Sequence, residues 1–99
     1  MVSFNVVRFR VKPGQEQAFL DAHRAGRANW PGLVRGVMIQ TGDRHYCLMG
    51  EWSDGDALAN ARASMIATLS TFRDTLEDLG GGLGVTGAVS GPMVLDLTA

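Results

Sequence analysis

The sequence predicts an α+β fold: a ferredoxin-like βαββαβ domain with an antiparallel sheet and two helical segments on one face. Three observations predict it. A run rich in β-branched and aromatic residues opens the chain, "SFNVVRFRV". Two further runs of that kind, "LVRGVMIQT" and "RHYCLMGEW", are separated only by Gly42-Asp43, a hairpin signal. Later, Leu58, Ala61, Met65, Leu69, Phe72, Leu76 and Leu79 recur at steps of three and four, the period of a buried helical stripe. The 99 residues fit one domain, 1–99.

Strand one is expected over Ser3 to Val11, with Val7, Phe9 and Val11 on one face and Phe4, Val6, Arg8 and Arg10 on the other. Lys12-Pro13-Gly14 breaks it, and Pro13 suits a helix entry. Helix one runs from Gln15 to about Ala28, with Phe19, Ala22, His23 and Gly26 on one side. Asn29-Trp30-Pro31-Gly32 stops it, because the residue before a proline avoids helical geometry. Strands two and three cover Leu33 to Thr41 and Arg44 to Trp52. Ser53 is the expected N-cap of the second helical segment, with Asp56 at the capping-box position. That segment reaches Leu79, with a possible break near Ser70-Thr71. The last strand is expected over "MVLDLT", Met93 to Thr98.

Between them lies "DLGGGLGVTGAVSG", which contains the spacing Gly82-x-Gly84-x-x-Gly87. A dinucleotide loop needs a strand before it and a helix after it, so that the phosphate meets helix N–H groups. Here the order is reversed. Gly80 sits where a left-handed helix C-cap belongs, and the other glycines carry the chain back to the sheet edge. Glycines also let a loop lie flat against a planar ligand.

The net charge is −1, and no basic patch stands out, so nucleic acid is not an expected partner. No apolar run is long enough to span a bilayer, and no membrane association is expected. The opening residues lack the order of a secretion signal. The single cysteine, Cys47, allows no internal disulfide, and a reducing cytoplasm is the expected compartment.

A sheet covered on one side should alternate apolar and polar residues. These strands do not. Phe4 and Val6 lie opposite Val7 and Phe9. Val34 and Met38 lie opposite Leu33, Val37 and Ile39. Tyr46, Leu48 and Trp52 lie opposite Cys47 and Met49. Both faces are partly apolar, and the helices cover one. A second copy packed sheet to sheet supplies the missing cover, so a homodimer is expected.

With "VVRFRVKPGQEQAFLDAH", "PGLVRG", "YCLMGEWSDGDAL" and the long amphipathic segment, the chain resembles antibiotic biosynthesis monooxygenase-like proteins of the dimeric α+β barrel superfamily. The resemblance covers nearly the whole chain. It implies a homodimer whose sheets close into a barrel, and a pocket in each subunit between helices and sheet. The activities it implies include cofactor-independent oxidation of polycyclic phenols to quinones and haem degradation. Fold alone does not choose between them.

Cofactor-free oxygenation needs a substrate that becomes an electron-rich anion, together with proton handling and a dry pocket. His23, Tyr46 and Trp30 are the residues expected to supply the polar contacts. His23 shares a helix side with Phe19. Its bland reading is a half-buried histidine bonded to a carbonyl. Tyr46 and His45 are strand neighbours and point to opposite faces, so they cannot both line one pocket. The bland reading of Tyr46 is a core aromatic with a satisfied hydroxyl. Trp30 is a lid or a dimer contact, and Trp52 is packing. The methionines are core filler or a pliable wall. Cys47 reads as inert, and Glu51, Asp54 and Asp56 as a capped helix start rather than a metal site.

Haem-degrading relatives use an asparagine on the first strand and a tryptophan and histidine on the second helical segment. That segment has neither here. Asn5 is on the first strand, read on the face opposite Phe9, and is set aside as a match. The expected function is oxidation of a small, flat, apolar aromatic molecule by oxygen, with no cofactor or metal. The alternative is a non-catalytic ligand-binding or accessory module with the same pocket.

Overall fold

The computed structural model describes residues 1–25, 30–82 and 84–98. The elements are β1 (Ser3–Arg10), α1 (Glu16–Ala25), β2 (Leu33–Gly42), β3 (His45–Trp52), α2 (Gly55–Leu69), a 3₁₀ turn (Arg73–Thr75) and β4 (Gly87–Pro92). The sheet order is β2-β3-β1-β4 and every neighbouring pair is antiparallel. This is the expected ferredoxin-like α+β arrangement. Gly26, Ala28 and Asn29, which carry the expected end of helix one, lie outside the described residues.

The pairing register assigns the two faces. Phe9 sits opposite Tyr46, Val7 opposite Leu48, and Asn5 opposite Gly50. These residues face the helices. Phe9, Phe19, Tyr46, Phe72 and Leu76 form one buried cluster with Val11, and Trp52, Leu58 and Ala61 form a second. The other face carries Val6, Met49 and Val37 in one cross-strand row, with Val89 next to Val6. Both faces are therefore partly apolar, as the strand patterns predict. A bulge between Leu33 and Arg35 places Leu33 opposite Trp52, so Leu33 joins Met38 on the helix face and Val34 is left exposed. The expected opposition of Leu33 and Met38 is thus corrected: a bulge adds one residue and flips what precedes it.

The α2 cap is Asp54, not Ser53. Its carboxylate accepts from the Ala57 N–H at 2.7 Å, while the Ser53 N–H donates to the Gly32 carbonyl at 2.8 Å. The break falls where Ser70-Thr71 suggests. Ser70, Thr71 and Thr68 hydroxyls all bond to carbonyls three or four residues back, which competes with continuation of the helix. Beyond the break the expected helical continuation to Leu79 is not found: only the 3₁₀ turn at Arg73–Thr75 follows, and Leu76 is extended and bridges to Val11, so Phe72 and Leu76 stay buried without a helix to carry them.

Two glycine-region expectations are corrected. Because α2 ends at Leu69, Gly80 caps no helix; its φ of +81° belongs to a turn in which the Asp78 carboxylate accepts the Gly80 N–H at 2.6 Å. The final strand is Gly87–Pro92 and not Met93–Thr98. The tail's apolar residues are uncovered, with Val94 91% and Leu97 86% exposed. Apolar alternation favours the tail on propensity, but β1 pairs with the glycine-containing segment instead, and an edge strand tolerates such glycines.

Candidate functional site

The site begins with small residues on the floor of the sheet. One cross-strand row on the helix face reads Gly36, Gly50, Asn5, Ser90. Two of the four have no side chain, which leaves space on the helix side of the sheet. A cavity of about 1090 Å³ lies between sheet and helices, and its wall includes Asn5, His23, Trp30, Tyr46, Trp52 and Arg62. The structure therefore brings His23, Tyr46 and Trp30 to one cavity.

His23 is held by aromatic rings. Its imidazole centroid lies 4.2 Å from Phe72, 4.6 Å from Phe19 and 5.8 Å from Phe9. Nδ1 lies 2.9 Å from the Phe19 carbonyl, one helical turn back. A carbonyl only accepts, so Nδ1 carries the proton and the neutral ring keeps a basic lone pair on Nε2. Burial lowers the His23 pKa below its ordinary value, against the opposing pull of the bond to Phe19. The ring is therefore neutral at pH 7. The bland reading, a carbonyl-bonded histidine, describes one nitrogen and leaves the other available.

Tyr46 is buried, its ring 5.1 Å from that of Phe19. Its hydroxyl is not among the buried polar atoms left without a partner in the described residues. His45 is exposed on the other face, as strand alternation requires. Trp30 stacks obliquely on Trp52, with centroids 6.0 Å apart.

Asn5 is the main correction to the sequence reading. It lies four residues before Phe9 in an unbulged strand, so the two share a face, and Asn5 is buried on the cavity wall. Trp52 Nε1 donates to Asn5 Oδ1 at 2.8 Å. An indole N–H only donates, which fixes the carboxamide with its oxygen toward Trp52. Among the described residues the amide nitrogen meets only the Met65 sulfur, at 3.8 Å. Thioether sulfur is a weak acceptor, so Asn5 keeps donor capacity toward the cavity. Trp52, read as packing, also orients this group.

No aspartate or glutamate is among the described residues lining the cavity, whereas Arg24 and Arg62 are. Arg24 is paired with Asp21 at 2.9 Å. Among the described residues no group of three or more His, Cys, Asp or Glu is placed to hold a metal ion. Haem fits poorly, because α2 carries no histidine to serve as an axial ligand. Cys47 is buried, and Met38 and Met65 line the cavity while Met49 faces away. No described helix is long and apolar enough to cross a membrane.

Comparison with known proteins gives three kinds of result. A family model described as "Antibiotic biosynthesis monooxygenase" matches residues 3–79. No curated protein matches the chain by sequence. Solved structures do match in fold. A point mutant of SnoaB, a cofactor-independent oxygenase from Streptomyces nogalater, superposes with TM-score 0.76 at 20% identity, covering 99% of this chain and 98% of that one. A conserved protein from Methanosarcina mazei gives 0.76 at 15% identity, covering 93% and 92%. A protein of unknown function from Nitrosomonas europaea gives 0.72 at 18% identity, covering 96% and 91%. At these identities the likeness is one of fold.

Proposed function

Since this chain belongs to the antibiotic biosynthesis monooxygenase family, as its match over residues 3–79 shows, we propose that it oxidises a flat aromatic phenol with molecular oxygen and no cofactor. The observation that carries the reading is His23: a neutral, desolvated imidazole with one nitrogen fixed, on the wall of a largely apolar cavity. Nε2 accepts the phenolic proton. The electron-rich anion then passes electrons to oxygen. One oxygen atom stays on the ring as the new quinone carbonyl; the other leaves as water with the two hydrogens lost by the substrate.

The protein's part is proton handling and exclusion of water. Tyr46 offers a hydroxyl donor to the developing oxyanion, and Asn5 offers an amide donor held by Trp52. Trp30 walls the cavity beside Trp52. The SnoaB likeness supports an oxygenase reading in this fold, although that protein's activity is its own.

The working unit in this reading is a cytoplasmic homodimer joined through the outer sheet face. Phe4, Ile39 and Val89 are exposed there, and the apolar tail is uncovered as well. Burial contributes ~25 cal/mol per Å² of apolar surface, and obligate interfaces run above about 2,000 Å², so the contact carries much of the fold's stability.

An oxygen electrode tests the chemistry. Metal-stripped protein with polycyclic phenols should consume oxygen faster than buffer, and His23→Phe should not. Binding seen by tryptophan fluorescence without uptake on any compound would instead favour the non-catalytic module.

A further inference from the structure

Arg62 interrupts an apolar stripe. Leu58, Met65, Ile66 and Leu69 stand three or four residues from it along α2 or continue that spacing, and all line the cavity. A guanidinium stays charged at every working pH. Arg24 has a carboxylate partner; Arg62 has none among the described residues. Its described contact is with the Ser90 hydroxyl on β4, Nη2 to Oγ at 3.4 Å. The serine oxygen accepts there, so its own hydrogen remains free to donate.

Arg62 and Ser90 thus place an unneutralised cation and a hydroxyl donor at the rim of a cavity whose described lining holds no acid. Ser90 pairs with Asn5, whereas His23 packs on Phe9, four residues further along β1. At roughly 3.4 Å per residue the two ends are about 14 Å apart along the strand.

Resting on the reading of the cavity as a site for a flat aromatic molecule, we propose that this molecule carries a carboxylate, bound by Arg62 and Ser90 at the end remote from His23. A planar monoanion matches the guanidinium fork with one added hydroxyl. A phosphate monoester, with a charge of about −1.5 to −2, would be left partly unneutralised by a single guanidinium.

The test is fluorescence titration of the intact protein with anthracene-2-carboxylate and with its neutral congener, 2-(hydroxymethyl)anthracene. The carboxylate should bind about tenfold more tightly at low salt, and the preference should shrink as ionic strength rises. Arg62→Gln should bring the ratio near one, while Arg62→Lys keeps part of the preference and its salt dependence. Circular dichroism on both variants establishes folding. Equal affinity for the two compounds, or a preference that survives Arg62→Gln, would overturn the assignment while the aromatic site stands. Failure of both compounds to bind the unaltered protein would overturn the reading of the cavity itself.

Discussion

Trp52 donates its indole hydrogen to Asn5 across the space left by Gly50. A Cβ at residue 50 would lie 2.4 Å from Asn5 Oδ1 and 3.0 Å from Trp52 Nε1. The bond therefore needs glycine between its two partners. It ties β1 to the end of β3 and sets the direction of an amide on the cavity wall.

Gly50→Ala should accordingly destabilise the protein by about 1–3 kcal/mol, because the added methyl either strains β3 or leaves two buried polar groups unpaired. Gly91, with nothing within 4 Å of an added Cβ, is the control, and Gly91→Ala should change stability by under about 0.5 kcal/mol. Urea denaturation of both variants measures the difference.

Stability should fall as pH drops below 7. The folded-state pKa of His23 is lowered by burial. Below about pH 6.5 the unfolded chain binds a proton that folded His23 resists, so this contribution is lost as pH falls toward the lowered value and then levels off. His23→Phe keeps an aromatic ring among Phe9, Phe19 and Phe72 and should flatten the melting-temperature profile in that window. Thermal melts at half-unit steps show whether it does.

The outer face predicts assembly. Light scattering at micromolar concentration should give the mass of a dimer. Met49 lies between Val6 and Val37 on that face. Met49→Lys should shift the protein to monomer and lower its melting temperature, because a charge then opposes sheet-to-sheet burial. A monomeric wild-type protein would contradict the two-faced-sheet argument.

Much of this was legible in the residues, for identifiable reasons. The hairpin around Gly42-Asp43 and the helical stripe from Leu58 to Leu69 rest on local chemistry that tertiary context leaves intact, whereas the continuation to Leu79 gives way to a 3₁₀ turn and the bridge from Leu76 to Val11. His23 and Tyr46 meet in the cavity because helix period and strand alternation fix their sides. β4 was not legible, since pairing with β1 selects Gly87–Pro92 over the more apolar tail. Asn5 was readable from parity with Phe9, but its role depends on Trp52, 47 residues away, and on the absence of a side chain at Gly50. Arg62 could be found only as a charge within an apolar stripe. The bulge that turns Leu33 inward leaves no plain mark in "PGLVRG".

The most direct measurement is oxygen consumption with quinone formation, followed together in chelator-treated protein given a polycyclic phenol. One oxygen should be consumed per quinone formed, well above the rate in buffer, and His23→Phe should lose about a hundredfold or more of that rate. An unchanged rate in that variant, or uptake no faster than in buffer for substrates that bind, would contradict oxidation by way of His23.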